Sequence, residues 1–266
     1  MVMFEIDPDI RRATTPPSAL YHDPQWFRAV VERVMTPSWH LLPHGELPSE
    51  AGAMLPWVLL PGCVDEPVLL TRDDDGKLHL LSNVCTHRGN LLVDRACSGR
   101  GIRCGYHGRR FALDGRMLAM PEFDDALDFP RREDDLPRLP LAHWGPLAFT
   151  GLAPRPAAAD VLAPLHDRLW FLPLGRARFV ASDSRDYHVR ASWALYCDNY
   201  LEGFHIPFVH PGLNRALDYA AYRTLPLPHG VLQIGIANAD DDAFDLPIGH
   251  PEHGQRVAGF YFFLFP

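Results

Sequence analysis

Lysine is almost absent from this sequence: Lys77 is the sole one among 266 residues. That removes most routes to Schiff-base chemistry. Cysteine is scarce as well. Five of them (Cys63, Cys85, Cys97, Cys104, Cys197), an odd number in a chain this long, make no disulfide framework. Positive charge is in deficit, with 25 basic against 33 acidic residues and a net charge of -8. Phosphate backbones therefore feel no general attraction, and no nucleic-acid partner is expected. The basic pairs Arg109-Arg110 and Arg131-Arg132 are followed by acids and read as solvated faces. Long apolar runs are lacking too: the stretches at 55–60 and 260–265 are far too short to span a bilayer. Residues 1–7 carry acids where a signal peptide needs bases. The expectation is a cytoplasmic chain with no membrane partner.

What is present is ordinary globular material, 47% hydrophobic and 22% charged. At about 150 residues per domain, the length suggests one large domain or two modest ones. Proline is abundant, with 26 residues, and it breaks helix interiors and sheet ladders. That argues against an all-helical bundle. One helix is expected near the N-terminus, with Asp23 as cap, Pro24 in the first turn and Trp26, Phe27, Val30, Val31 and Val34 as its apolar stripe; Pro37 ends it. Short apolar runs at 57–60, 68–71, 78–81 and 147–150 read as strands, with turns at 73–76 and 113–116, and predict a small antiparallel β domain. Residues 151–163 form the best linker. Strands at 177–181, 187–190, 230–236 and 257–265, with a helix at 193–204, predict a second domain of α+β type. The segments become 1–40, 41–158 and 159–266.

Two constellations carry chemistry. The first is Cys85-Thr86-His87-Arg88-Gly89 followed by Cys104-Gly105-Tyr106-His107-Gly108. Two tight pairs, each with one thiol and one imidazole, supply the four ligands of a metal centre. Zinc sites more often group Cys with Cys and His with His. Mixed pairs suit a [2Fe-2S] cluster with two cysteines on one iron and two histidines on the other; a zinc site or two unrelated loops are the alternatives.

The second is Asn199-Tyr200-Leu201-Glu202-Gly203-Phe204-His205, with His210 beyond Pro207. Glu202 and His205 share a helix face. Pro207 stops that helix, so the chain can turn and bring both imidazoles together. Two histidines and a carboxylate with open positions form the facial site of non-haem Fe(II) oxygenases.

In motif and domain order the chain resembles the large (α) subunit of Rieske non-haem iron oxygenases. The absence of a further cysteine beside each ligand pair resembles the oxygenase or ferredoxin kind rather than the respiratory kind. The resemblance implies that Cys85 and Cys104 ligate one iron of a [2Fe-2S] cluster and His87 and His107 the other. It implies that His205 and His210 hold a mononuclear Fe(II). It gives Glu202 the role of a bridge, on a path His107–Glu202–His205 that crosses a subunit interface of a homotrimer. Glu rather than Asp at this place is a hint of N-methylated substrates. Asp198 is expected either as an acid that supports an iron ligand from behind or as a helix cap. The fold implied is α+β: an N-terminal helix, the β Rieske domain, and an incomplete catalytic domain built on a helix-grip-like antiparallel sheet.

The chain departs from the family's pattern in having Gly105 and Arg109 where Pro and Trp are frequent, positions that shape the cluster loop and the subunit contact. It also offers no evident third iron ligand. Asp240, Asp241, Asp242, Asp245 and Glu252 are local substitutes, and they read, like His250 and His253, as solvated loop residues. The third carboxylate is expected beyond Pro266. The function implied is the oxygenase component of a mono- or dioxygenase. It takes electrons from a separate NAD(P)H-dependent reductase or ferredoxin and uses O2 to hydroxylate or demethylate a small organic substrate. The alternative is an electron-transfer or metal-binding module without oxygenase activity.

Overall fold

Asp23 opens the N-terminal helix as its side chain implies. The computed structural model, which describes residues 5–42 and 47–265, has α1 at Ala19–His22 and α2 at Pro24–Val30. Pro24 takes the first turn, where its missing N–H costs nothing, and the Asp23 carboxylate accepts the Gln25 N–H at 2.8 Å. A wider π turn at Val31–Met35 follows, just short of Pro37. Residues 1–4 and Pro266, invoked above, lie outside the described residues.

Two compact units divide the chain. One holds Thr36–Pro154 with Ala177–Asp183; the other holds Met1–Met35, Arg155–Arg176 and Ser184–Pro266. Every strand ladder among the described residues is antiparallel.

The first unit contains β1 (His40–Leu41), β2 (Ala53–Leu59), β3 (Glu66–Arg72), β4 (Leu78–Ser82), β5 (Cys97–Ser98), β6 (Ile102–Arg103), β7 (Arg110–Phe111), β8 (Met117–Ala119), β9 (Leu141–Trp144) and β10 (Leu147–Thr150). They form three sheets, ordered β4-β3-β2-β5, β1-β10-β9 and β6-β7-β8. Strand side chains alternate between faces, and β3 uses both. Val68 and Leu70 enter a core with Leu42, Leu59 and Leu80. Leu69 enters another with Leu81, Phe111 and Leu136, and that core also encloses Cys85 and Cys104. The expected hairpin turn joins β3 to β4: Gly76 N–H donates to the Asp73 carbonyl and Asp73 N–H to that of Lys77. His79, on β4, meets the Asp73 carboxylate at 2.7 Å.

The second unit continues with α3 (Ala158–Leu169), α4 (Trp193–Tyr200), α5 (Ile206–Val209), α6 (Pro211–Ala216), β11 (Arg223–Leu227), β12 (Gly230–Ile236) and β13 (Val257–Leu264), the strands in that order. Leu232, Ile234, Leu246 and Val257 form its core. Three expectations need correction. The linker at 151–163 ends in α3, because Val161, Leu162 and Leu165 make a buried stripe. No strand forms at 177–181 or 187–190, where the side chains are exposed and no partner ladder runs alongside. The overlooked β11 contains Pro226, which an edge strand tolerates. Among the described residues no helix is long and apolar enough to cross a membrane.

Candidate metal centres

The two Cys-His segments fold as near copies of one turn. Gly89 N–H donates to the Cys85 carbonyl at 3.0 Å, and Gly108 N–H to that of Cys104 at 3.1 Å. Closing the turn requires positive φ, and these glycines sit at +70° and +74°. Each turn thus projects its thiol and its imidazole from a few residues. Cys85 and Cys104 are both buried, in one apolar cluster. The His87 and His107 rings stand half-buried and edge to face, with centroids 4.8 Å apart.

Burial pushes the Cys85 thiol up. At Cys104 burial acts the same way, but the N–H groups of Tyr106 and His107 outweigh it and hold that thiol below its ordinary value. Asn90 adds a third donor to Cys104 Sγ, at 3.7 Å. Burial lowers His87, and the neighbouring His107 adds to it. Two convergent thiols with N–H donors aimed at sulfur, beside two convergent imidazoles, fit a [2Fe-2S] group with mixed ligation. Such a group would rest its cysteine side in the core and its histidine side near the surface.

Arg109 requires a correction. It does not belong to a solvated face, being 3% exposed. Its guanidinium pairs with Asp134 and donates to Thr86 Oγ1 at 3.1 Å. A pocket of about 410 Å³ opens beside His87, walled by Thr86, Arg109, Phe123, Phe129 and Asp134 among others.

The second constellation lies where α4 gives way to α5. His205 Nδ1 meets Glu202 Oε1 at 2.7 Å, and the other carboxylate oxygen accepts the Phe204 N–H. His205 and His210 face each other edge to face, with centroids 5.1 Å apart. A carboxylate on Nδ1 fixes the ring and leaves Nε2 for a metal, the usual arrangement around a ligating histidine. Among the described residues no three His, Cys, Asp or Glu side chains gather as the ligands of one ion.

Sequence reasoning missed what holds this segment. Gln233 is buried on β12, accepts the Tyr222 O–H at 2.9 Å and donates to the Tyr200 carbonyl at the end of α4. A lone polar residue inside an otherwise apolar strand was the available signal. Tyr222, pushed up by its burial, lies with its ring against Gly203. Asp198 sits in the last turns of α4, and its carboxylate accepts the Tyr21 O–H.

Of the local acids, Asp240, Asp241, Asp242 and Asp245 are exposed. Glu252 and His250 are not, and their solvated reading is corrected. The Glu252 carboxylate pairs with Arg168 Nε at 2.9 Å. The His250 ring packs on Phe171 and Phe260 while its Nε2–H donates to the Arg168 carbonyl at 2.8 Å. Both serve packing beneath α3. His253 Nδ1 bonds the Leu246 carbonyl at 2.7 Å.

Residues 60–137 match the Rieske [2Fe-2S] domain. Over 260 residues the chain is 30% identical to the chloroplastic choline monooxygenase of Arabidopsis thaliana, a match covering 91% of this chain and 60% of that protein. The chain thus spans about 60% of the length of such curated relatives. In fold it is similar to a naphthalene 1,2-dioxygenase from Rhodococcus sp. (TM-score 0.69, 20% identity, covering 94% of this chain and 63% of that one). It is likewise similar to a quaternary ammonium Rieske monooxygenase (TM-score 0.64, 24% identity, covering 88% and 64%). Residues 60–137 thus carry a Rieske [2Fe-2S] domain, and the chain around them is similar in sequence to choline monooxygenase and in fold to Rieske oxygenases.

Proposed function

We propose that this chain holds a [2Fe-2S] cluster and a mononuclear Fe(II), and works as the oxygenase component of a Rieske monooxygenase. Cys85, His87, Cys104 and His107 are the cluster ligands in this reading, and His205 and His210 are two ligands of the single iron. Bound there, the metals supply one-electron storage and activation of O2. The chain's own residues do the positioning. Two buried thiols hold one side of the cluster, and two half-buried imidazoles leave the other side reachable by a reductase or ferredoxin. Glu202 fixes the His205 ring, and its partly exposed carboxylate can accept a further hydrogen bond from His107 of a neighbouring copy. That contact would make a homotrimer the working unit.

The observation that carries the reading is the Glu202–His205 bond at 2.7 Å beside His210. The substrate class we infer is a quaternary or N-methylated amine, from the likeness to choline and quaternary ammonium monooxygenases. Hydroxylation next to nitrogen would lead to demethylation or to an aldehyde.

Anaerobic reconstitution tests this. The protein is expected to bind two irons and two sulfides plus one further Fe(II), the last lost in His205→Ala and His210→Ala. In Glu202→Gln the cluster spectrum should persist while electron transfer to the second iron slows. Transfer at the parent rate would refute the bridge. One observation favours a second reading, an electron-transfer module: no third ligand joins the two histidines among the described residues. That module would bind cluster iron only.

A further inference from the structure

Arg109 is the most deeply buried cation near the two ligand loops, and its contacts are unlike those of a packing residue. Its Nη1 donates to Thr86 Oγ1 at 3.1 Å, and Thr86 in turn donates to the Asp134 carbonyl at 2.7 Å. Its Nη2 pairs with the Asp134 carboxylate. Phe111 and Phe129 flank the guanidinium, with ring centroids 5.9 and 5.7 Å away. Thr86 lies between Cys85 and His87, and Arg109 lies two residues after His107. One side chain therefore ties the first ligand loop to the second. The Nε–H is buried without a partner, so the site tolerates an unpaired donor in order to hold this charge. An apolar side chain would fill the space between two phenyl rings without that penalty.

The charge is not cancelled where it matters. The Arg109 side chain is 4% exposed and that of Asp134 24%, so water screens the carboxylate more than the guanidinium. Adding one electron between these four side chains adds one negative charge, which a buried cation favours.

We propose that Arg109 is a positioning residue for the four-ligand site: it locks the 85–89 loop onto the 104–108 loop, and its buried charge raises the reduction potential of the cluster held there. The inference rests on the cluster reading above and extends it to a residue outside the ligand set.

The test compares the parent with Arg109→Met, Arg109→Lys and Asp134→Asn, each as the full chain. EPR-monitored redox titration of the reconstituted protein gives the midpoint potential. Hydrogen–deuterium exchange of residues 85–90 in the cluster-free protein reports the loop. Arg109→Met should lower the midpoint and Asp134→Asn should raise it. A purely structural pair would move both the same way or neither, and either result overturns the proposal. Arg109→Lys keeps the charge and loses the fork, so its midpoint should stay nearer the parent's while its loop exchanges faster. If Arg109→Met takes up no cluster, the other two variants decide. A raised midpoint in Asp134→Asn with faster exchange in Arg109→Lys upholds the proposal, and parent-like values sink it. If the parent itself gives no EPR signal of a cluster with two histidine ligands, the cluster reading falls and the proposal with it.

Discussion

Gly203→Ala should destabilise the second unit through a single clash. Gly203 is buried between Glu202 and Phe204 and needs no positive φ, so backbone strain is not at issue. A Cβ there would lie 2.7 Å from Tyr222 Cε1 and 3.3 Å from two further ring carbons. The ring cannot simply retreat, because its hydroxyl is bonded to buried Gln233, which is bonded in turn to the end of α4. Overpacking of this kind costs about 1–3 kcal/mol. For a unit of this size that lowers the melting temperature by roughly 3–9 °C. Scanning calorimetry of the parent, Gly203→Ala, Tyr222→Ala and the double variant forms a closed cycle. With the ring gone the alanine should cost almost nothing, giving a coupling close to the full single-variant loss. An equal penalty for Gly203→Ala in the Tyr222→Ala background would refute the clash as its origin.

The paired turns give a second expectation. Gly89→Ala and Gly108→Ala both force a non-glycine residue to positive φ, costing about 1–2 kcal/mol each. Gly108→Ala should cost more, since its Cβ would meet Pro121 Cγ at 3.1 Å while nothing lies within 4 Å at Gly89; equal melting temperatures would contradict this. A third concerns acid. The bond from His79 holds the Asp73 carboxyl below its ordinary 3.8. A depressed carboxylate adds stability that is complete above the unfolded-state value and is lost as pH falls through the lower folded value. The stability difference between parent and Asp73→Asn should therefore be flat above about pH 5 and shrink below about pH 4. A difference unchanged down to pH 2 would exclude the pair as its source.

Local patterns made part of the turn and strand geometry readable in advance. The Cys-x-His and Cys-x-x-His spacings fix which side chains one turn can project; the helix expected to run as far as Pro207 instead ends at Tyr200, and His205 and His210 cap the two ends of the short α5, with Pro207 in its first turn. The hairpin at 73–76 and the strands β10 and β12 follow from turn chemistry and apolar runs, which act over a few residues. What stayed hidden depends on distant partners. Arg109 looked solvated because Arg110 and nearby acids surround it in the chain, whereas its partners are Thr86, 23 residues away, and Asp134, 25 away. Glu252 looked like a loop acid because Arg168 is remote in sequence. The segments at 177–181 and 187–190 have strand-like composition but no neighbouring ladder, and composition cannot supply one.

Both candidate centres present their proposed ligands outside strands and helix interiors, so their geometry rests on a few polar side chains rather than on a helix or strand ladder. Arg109, Thr86 and Asp134 hold the first pair of turns; Gln233 and Tyr222 hold the second segment. Core residues such as Leu70 or Ile234 belong to apolar clusters that contain none of the candidate ligands. Truncating those should cost about 2–5 kcal/mol of stability through cavity formation while leaving the ligand turns closed, since the Gly89 and Gly108 bonds do not involve them. Changing Gln233 or Arg109 instead removes a bond that reaches a ligand segment directly. Stability and site geometry are thus separable by position in this protein, and the residues that control the site lie on neighbouring elements, bonded to the backbone or loops that carry the ligands.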